Sequence, residues 1–304
     1  RPNHTPMKQL IMDSLLFHVE ELHVDGFRFD LAGILGEKDL DYNTYVDPSE
    51  TILQTIIDDP TLQKYNTRII SEPWTASGTG PGIGNFPSSS NGNFAWYEWN
   101  ASFRDWWRGF VNDDNFLLNS AENGIDGGGV MTGSYGLYGD DGRKPFHAVN
   151  FVSVHDGFTL YDLVSYEQKQ NGCGLLNPIC CNDPLSVWCD TESGEDHNRS
   201  RNWGDETTKR QMIRNLLTGL FISHGSPLLF GGDEWMRTQF GNNNAYTTWA
   251  DNEWNWFRWG EWHSSDFRIR MHDFVRKLIQ FRKNHSYAFT PKEFGSGMPL
   301  AWKT

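Results

Sequence analysis

The chain has 304 residues, 26 Lys and Arg against 39 Asp and Glu, and a formal charge of -13. That length can bury a sizeable core in one large domain or two ordinary ones, and the charge repels a phosphate backbone and offers no basic stripe to an anionic membrane, so neither nucleic acid nor membrane is expected as a partner. No run reaches the roughly 18 apolar residues of a spanning helix, and the first residues, RPNHTPMKQL, lack the basic-then-apolar order of a signal peptide.

Residues 7–23, MKQLIMDSLLFHVEELH, set Ile11, Leu15, Val19 and Leu22 at helical spacing. VDGFRFDLA then switches to period two, with Phe27 and Phe29 on one side and Arg28 and Asp30 on the other, which predicts a strand. A polar stretch with helical character around ETILQTIIDD follows, and TRIISEPW reads as a second short strand, stopped by Pro73. A Gly/Pro/Ser/Asn-rich loop from Ser77 to Asn93 leads into FAWYEWNASFRDWWRGFV, a strand end and then a helix. AVNFVSVHDG is a further strand, ending in His155 and Asp156.

Between Glu167 and Thr208 lies a segment longer than a structural connection needs, which favours a functional loop. It holds all four cysteines, Cys173, Cys180, Cys181 and Cys189. Their spacing matches zinc sites poorly. Disulfides would imply a secreted or periplasmic setting; free thiols in a cytoplasmic loop are the alternative. KRQMIRNLLTGLFISHG carries Ile213, Leu216, Leu217 and Leu220 on one helical face and stops at Gly225. SPLLFGGDEW reads as another strand, and FRIRMHDFVRKLIQFRKNH as a last helix with Met271, Phe274, Leu278 and Phe281 on one face.

Strands alternating with helices predict an α/β fold with parallel strands. Carboxylates at several strand ends favour a (β/α)8 TIM barrel, where those ends converge on one pocket. About five units are present, so the chain is expected to supply roughly strands 4 to 8. The expected division is residues 1–290 as the C-terminal portion of a barrel, with the cysteine-bearing insertion near 167–208, and 291–304 as a tail or the start of a C-terminal β-domain.

A cation beside a carboxylate favours its charged form, so Arg28 next to Asp30 suits a nucleophile. Glu72, beside Pro73 and Trp74, is placed for the burial that lets a carboxylic acid donate a proton near neutral pH. Asp156 can hold sugar hydroxyls and stabilise positive charge at an anomeric carbon, with His155 donating a hydrogen bond beside it. Taken singly, each also fits a structural reading, as an ion pair or a strand terminus. The 14 Trp suit a core as well as the apolar faces of sugars.

Together, DGFRFDLA, IISEPW and FVSVHDGFTL resemble three motifs of the α-amylase superfamily in that family's order. RNLLTGLFISHGSPLLFGGDEW and GNNNAY are similar to stretches of its isoamylase and glycogen-debranching group. The resemblance implies Asp30 as nucleophile, Glu72 as acid/base, Asp156 as transition-state stabiliser, and Arg28 and His155 as supports. It extends to sugar contacts from Trp74, Asp233, Glu234 and Asn242 to Asn244, each of which also has a structural reading. The family's earlier Asn-His motif and N-terminal β-sandwich are expected to precede residue 1.

The activity implied is hydrolysis of α-1,6 branch linkages in glycogen, amylopectin or branched dextrins. The alternatives are a pullulanase-type or α-1,4-acting relative and a non-catalytic glucan-binding subunit. No cofactor is needed for this chemistry, although calcium in segments outside the chain stays compatible with it.

Overall fold

The computed structural model describes residues 2–37, 51–75, 80–90, 92–116, 127–171, 194–245 and 255–295. Five strands form one parallel sheet: β1 (Gly26–Phe29), β2 (Arg68–Ser71), β3 (Tyr97–Asn100), β4 (Ala148–Asn150) and β5 (Ser226–Pro227). Their spatial order is their chain order. A doubly wound sheet reverses strand order at its ligand crevice, whereas an unreversed run of parallel strands is the topology of a barrel.

Local sequence explains the helices around it. α1 (Thr5–Glu20) starts with Pro near its first position, and Met12, Leu15 and Val19 face the core. It ends before Leu22, which is exposed rather than part of the predicted stripe. α2 (Ile52–Asp58) is capped by Thr51, and Asp59 caps the short α3 (Pro60–Lys64). At the end of β3 the Asn100 side chain accepts from the Phe103 amide and turns the chain into α4 (Ala101–Asn112). α5 (Glu206–Ile222) is capped by Asp205, so the segment predicted to run to Thr208 ends sooner. All four residues of its predicted face are buried.

The turn from α5 into β5 needs glycine. Gly225 has φ +115, and a Cβ there would sit 2.8 Å from the Ala148 carbonyl oxygen. The strand read in SPLLFGGDEW is shorter than predicted, because Asp233–Trp235 forms a 3-10 turn. In α6 (Asp266–Asn284) the buried residues are Met271, Val275 and Arg282, while Phe281 is exposed. Burial there follows contact with α5. The Arg282 guanidinium donates to the carbonyls of Phe221, Ser223 and Gly225, taking up acceptors at the α5 C-terminus.

Two apolar clusters lie between sheet and helices. One joins α1, α2 and Leu62 to Ile69 and Trp96; the other joins Phe103 and Trp106 to α5 and α6. On the opposite, concave face Ile70, Tyr97, Trp99, Val149 and Leu228 border an open space of about 980 Å³. In a closed barrel that face is packed core. Among the described residues no helix is long and apolar enough to cross a membrane.

Candidate active site

Strand periodicity puts Arg28 and Asp30 on the concave side, while Phe27 and Phe29 pack with the helices. Parallel register aligns Phe29 with Ser71, so Asp30 and Glu72 leave adjoining strands at the same level. Backbone pairing runs past both strand ends, from the Glu72 amide to the Phe29 carbonyl and from the Ala32 amide to the Glu72 carbonyl, each 3.0 Å. Both carboxylates therefore stand on rigid backbone.

Arg28 joins them. Its guanidinium lies 2.7 Å from an Asp30 oxygen and 2.9 Å from a Glu72 oxygen. The two acids differ in environment: the Asp30 side chain is 70% exposed, that of Glu72 only 2%. Burial raises the Glu72 carboxyl above the usual range, against the pull of the Leu31 amide and the Arg28 charge, and with Asp30 and Asp156 adding to the rise. The Leu31 amide donates to Glu72 at 2.8 Å from a left-handed backbone conformation, φ 41. A non-glycine residue held there beside a reactive carboxylate stores strain that the surroundings must enforce.

β4 brings the third carboxylate. His155 and Asp156 follow it at the same end of the sheet, half-exposed, with Nε2 of His155 3.7 Å from Asp156. A carboxylate oxygen of Asp30, one of Glu72 and a ring nitrogen of His155 lie within 4.8 Å of one another. That trio has a metal-binding donor set, but Arg28 already occupies both carboxylates.

A cleft of about 700 Å³ opens beside Asp156, lined by Trp74, Arg104, Asp105, Asn198, Asn243 and Asn244 among others. Trp74 lines this cleft. Arg104, Asp105 and Asn198 carried no signal in the sequence, since a polar residue after a strand or in a long loop is ordinarily a solvated one. Asn243 belongs to the cleft wall and clamps it: its side chain accepts from Asn171 and donates to the Glu195 carbonyl and to Asn198. The four cysteines and Tyr246 of GNNNAY lie outside the described residues.

Asp233, read in the sequence as a sugar contact with Glu234, is buried away from this cleft. Asp233 is 1% exposed and accepts from the Ser153 hydroxyl and, at 2.9 Å, from the Leu160 amide. It fastens the turn after β5 to the loop that carries His155 and Asp156, and it does not face the cleft. Glu234 accepts from its own loop, at the Gly232 amide. Burial pushes Asp233 up to about 7 from 3.8. A group raised in the fold favours folding while protonated and loses that contribution as pH climbs through its folded value. Asp233→Asn should therefore gain stability relative to wild type as pH rises from about 4 to about 7. Urea midpoints across that range check it, and a constant difference would contradict it.

No family model matches the chain. Over 306 residues it is 36% identical to the glycogen operon protein GlgX homolog of Mycobacterium tuberculosis, an alignment covering 98% of this chain and 37% of the relative. It is 37% identical to an isoamylase of a Flavobacterium species over 96% of this chain and 35% of that protein. Against the chloroplastic isoamylase 1 of Arabidopsis thaliana the identity is 38%, over 99% of this chain and 37% of that protein. The chain thus spans little more than a third of these relatives' length. Among solved structures, a pullulanase from Bacillus acidopullulyticus superposes with a TM-score of 0.62 at 22% identity, covering 96% of this chain and 30% of that one, which speaks to the fold. With the three motif carboxylates gathered at one end of an unreversed parallel sheet, the chain is similar over nearly its whole length to about a third of these glycogen-operon and isoamylase proteins, and its fold is a parallel α/β sheet consistent with part of a (β/α)8 barrel.

Proposed function

We propose that the whole protein is a retaining glycoside hydrolase that cleaves α-1,6 branch linkages of glycogen, amylopectin or branched dextrins. The observation that carries this reading is the close approach of the Asp30 and Glu72 carboxylates on adjoining strands, an oxygen of one lying within 4.8 Å of an oxygen of the other. Retaining enzymes hold the two groups about 5–5.5 Å apart for direct attack, whereas inverting enzymes leave roughly 6.5–9.5 Å for a water.

Glu72 donates its proton to the glycosidic oxygen while an Asp30 oxygen attacks the anomeric carbon; the C–O bond to the leaving chain breaks and a covalent β-glucosyl ester forms. The leaving chain departs as a neutral alcohol. Glu72, now ionised, takes a proton from water, whose oxygen attacks the same carbon and frees Asp30. Asp156 and His155 hold the ring hydroxyls while positive charge develops.

Linkage is supported by the relatives named isoamylase, and the three carboxylates themselves do not encode it. Iodine staining and reducing-end release on amylopectin test the reading. Wild type should deepen the blue colour and Asp30→Asn should abolish the change; falling colour would instead indicate α-1,4 cleavage. The secreted or periplasmic setting rests on the cysteines, and thiol titration of the denatured protein decides between disulfides and free thiols.

A further inference from the structure

Arg28 is a long side chain with many rotamers, and its bridging position over Asp30 and Glu72 needs something behind it. That backing comes from β3. The Arg28 guanidinium carbon lies 4.4 Å from the centroid of the Trp99 ring, a contact in which the ring face attracts the cation. Trp99 is itself immobilised, with Phe151 at 5.7 Å, His155 at 5.9 Å and Trp74 at 6.3 Å between ring centroids. It is 7% exposed, so it offers no face on which a sugar could stack.

We propose that Trp99 is a positioning residue for the carboxylate pair, acting through Arg28: its ring fixes the guanidinium where it can meet Asp30 and Glu72 together. The proposal rests on the functional reading above. Trp99 contacts the cation that bridges the two carboxylates, and the same ring packs against Trp74 and His155. One rigid aromatic thus ties together the strand ends that carry Asp30, Glu72 and Asp156.

The test is a double-mutant cycle in the whole protein, read on amylopectin and on α-maltosyl fluoride, which is reactive enough to keep slow variants measurable. Trp99→Ala should lower kcat about 10-fold with KM within about 2-fold, and Trp99→Phe, which keeps a weaker ring face, about 3-fold. Arg28→Ala should lower kcat about 100-fold, and adding Trp99→Ala to it should cost less than about 2-fold more. Losses that multiply, or an effect carried by KM, would overturn the proposal. Should Trp99→Ala fail to fold, the same cycle is run with Trp99→Phe, whose loss must vanish in the Arg28→Ala background. A wild type inactive on both substrates overturns the functional reading and this proposal with it; an active wild type with multiplying losses overturns the proposal alone.

Discussion

The Glu72→Gln form of the whole protein is expected to lose roughly 10²–10⁴-fold in kcat on branched glucan, the usual contribution of a positioned acid/base. The loss should depend on the leaving group. A glucan alkoxide needs the proton that glutamine cannot give, whereas fluoride departs with little help. On α-maltosyl fluoride the variant should therefore release a burst of fluoride comparable to the enzyme present and then stall, because no base remains to activate water. Its pH profile should change as well. Burial raises the Glu72 carboxyl, so wild-type kcat/KM falls as pH rises through that elevated value, and the basic limb should disappear in the variant. Absence of the fluoride burst would remove Glu72 from the acid role, and unaltered behaviour would favour a glucan-binding subunit.

Arg143→Met is expected to cost about 3–5 kcal/mol, the penalty for stripping a buried ion pair of one partner. The Arg143 and Glu98 side chains are both fully buried and bonded to each other. Arg143 also donates to the Gly84 carbonyl at 2.7 Å, and Glu98 accepts from the amides of Gly84 and Phe86. Burial already pushes the Glu98 carboxyl up, and Arg143 is the main force holding it down. Without Arg143, Glu98 must take up a proton or expose itself, and either change loosens the loop from Gly82 to Phe86 that follows Trp74. Replacing Glu98 with Gln alongside Arg143→Met should recover part of the loss, because the amide oxygen still accepts one backbone N–H and no charge is stranded at position 98. The partly exposed Asp141, which also pairs with Arg143 at 2.7 Å, can turn to solvent. Urea unfolding of the three proteins measures this; a single variant within about 1 kcal/mol of wild type would show that the pair is dispensable.

Side-chain direction along a strand and face along a helix are local properties. For that reason VDGFRFD by itself determined that Arg28 and Asp30 emerge together, IISEPW that a carboxylate ends the next strand, and RNLLTGL which face of α5 is buried. The motifs then carried the resemblance and pointed to the three carboxylates. Burial and partnership are not local, and only the tertiary structure decided them. Asp233 looks like a sugar ligand in GGDEW, yet its partners Ser153 and Leu160 lie 80 and 73 residues away and draw it into the interior. Trp99 reads as one aromatic among many in WYEWN until β3 sets it against Arg28. Asp30 and Glu72, similar carboxylates at two strand ends, acquire opposite environments because one faces solvent and the other sinks between Arg28 and the Leu31 amide. Alternation can be read from neighbours in the chain, whereas desolvation depends on what the fold brings across the gap.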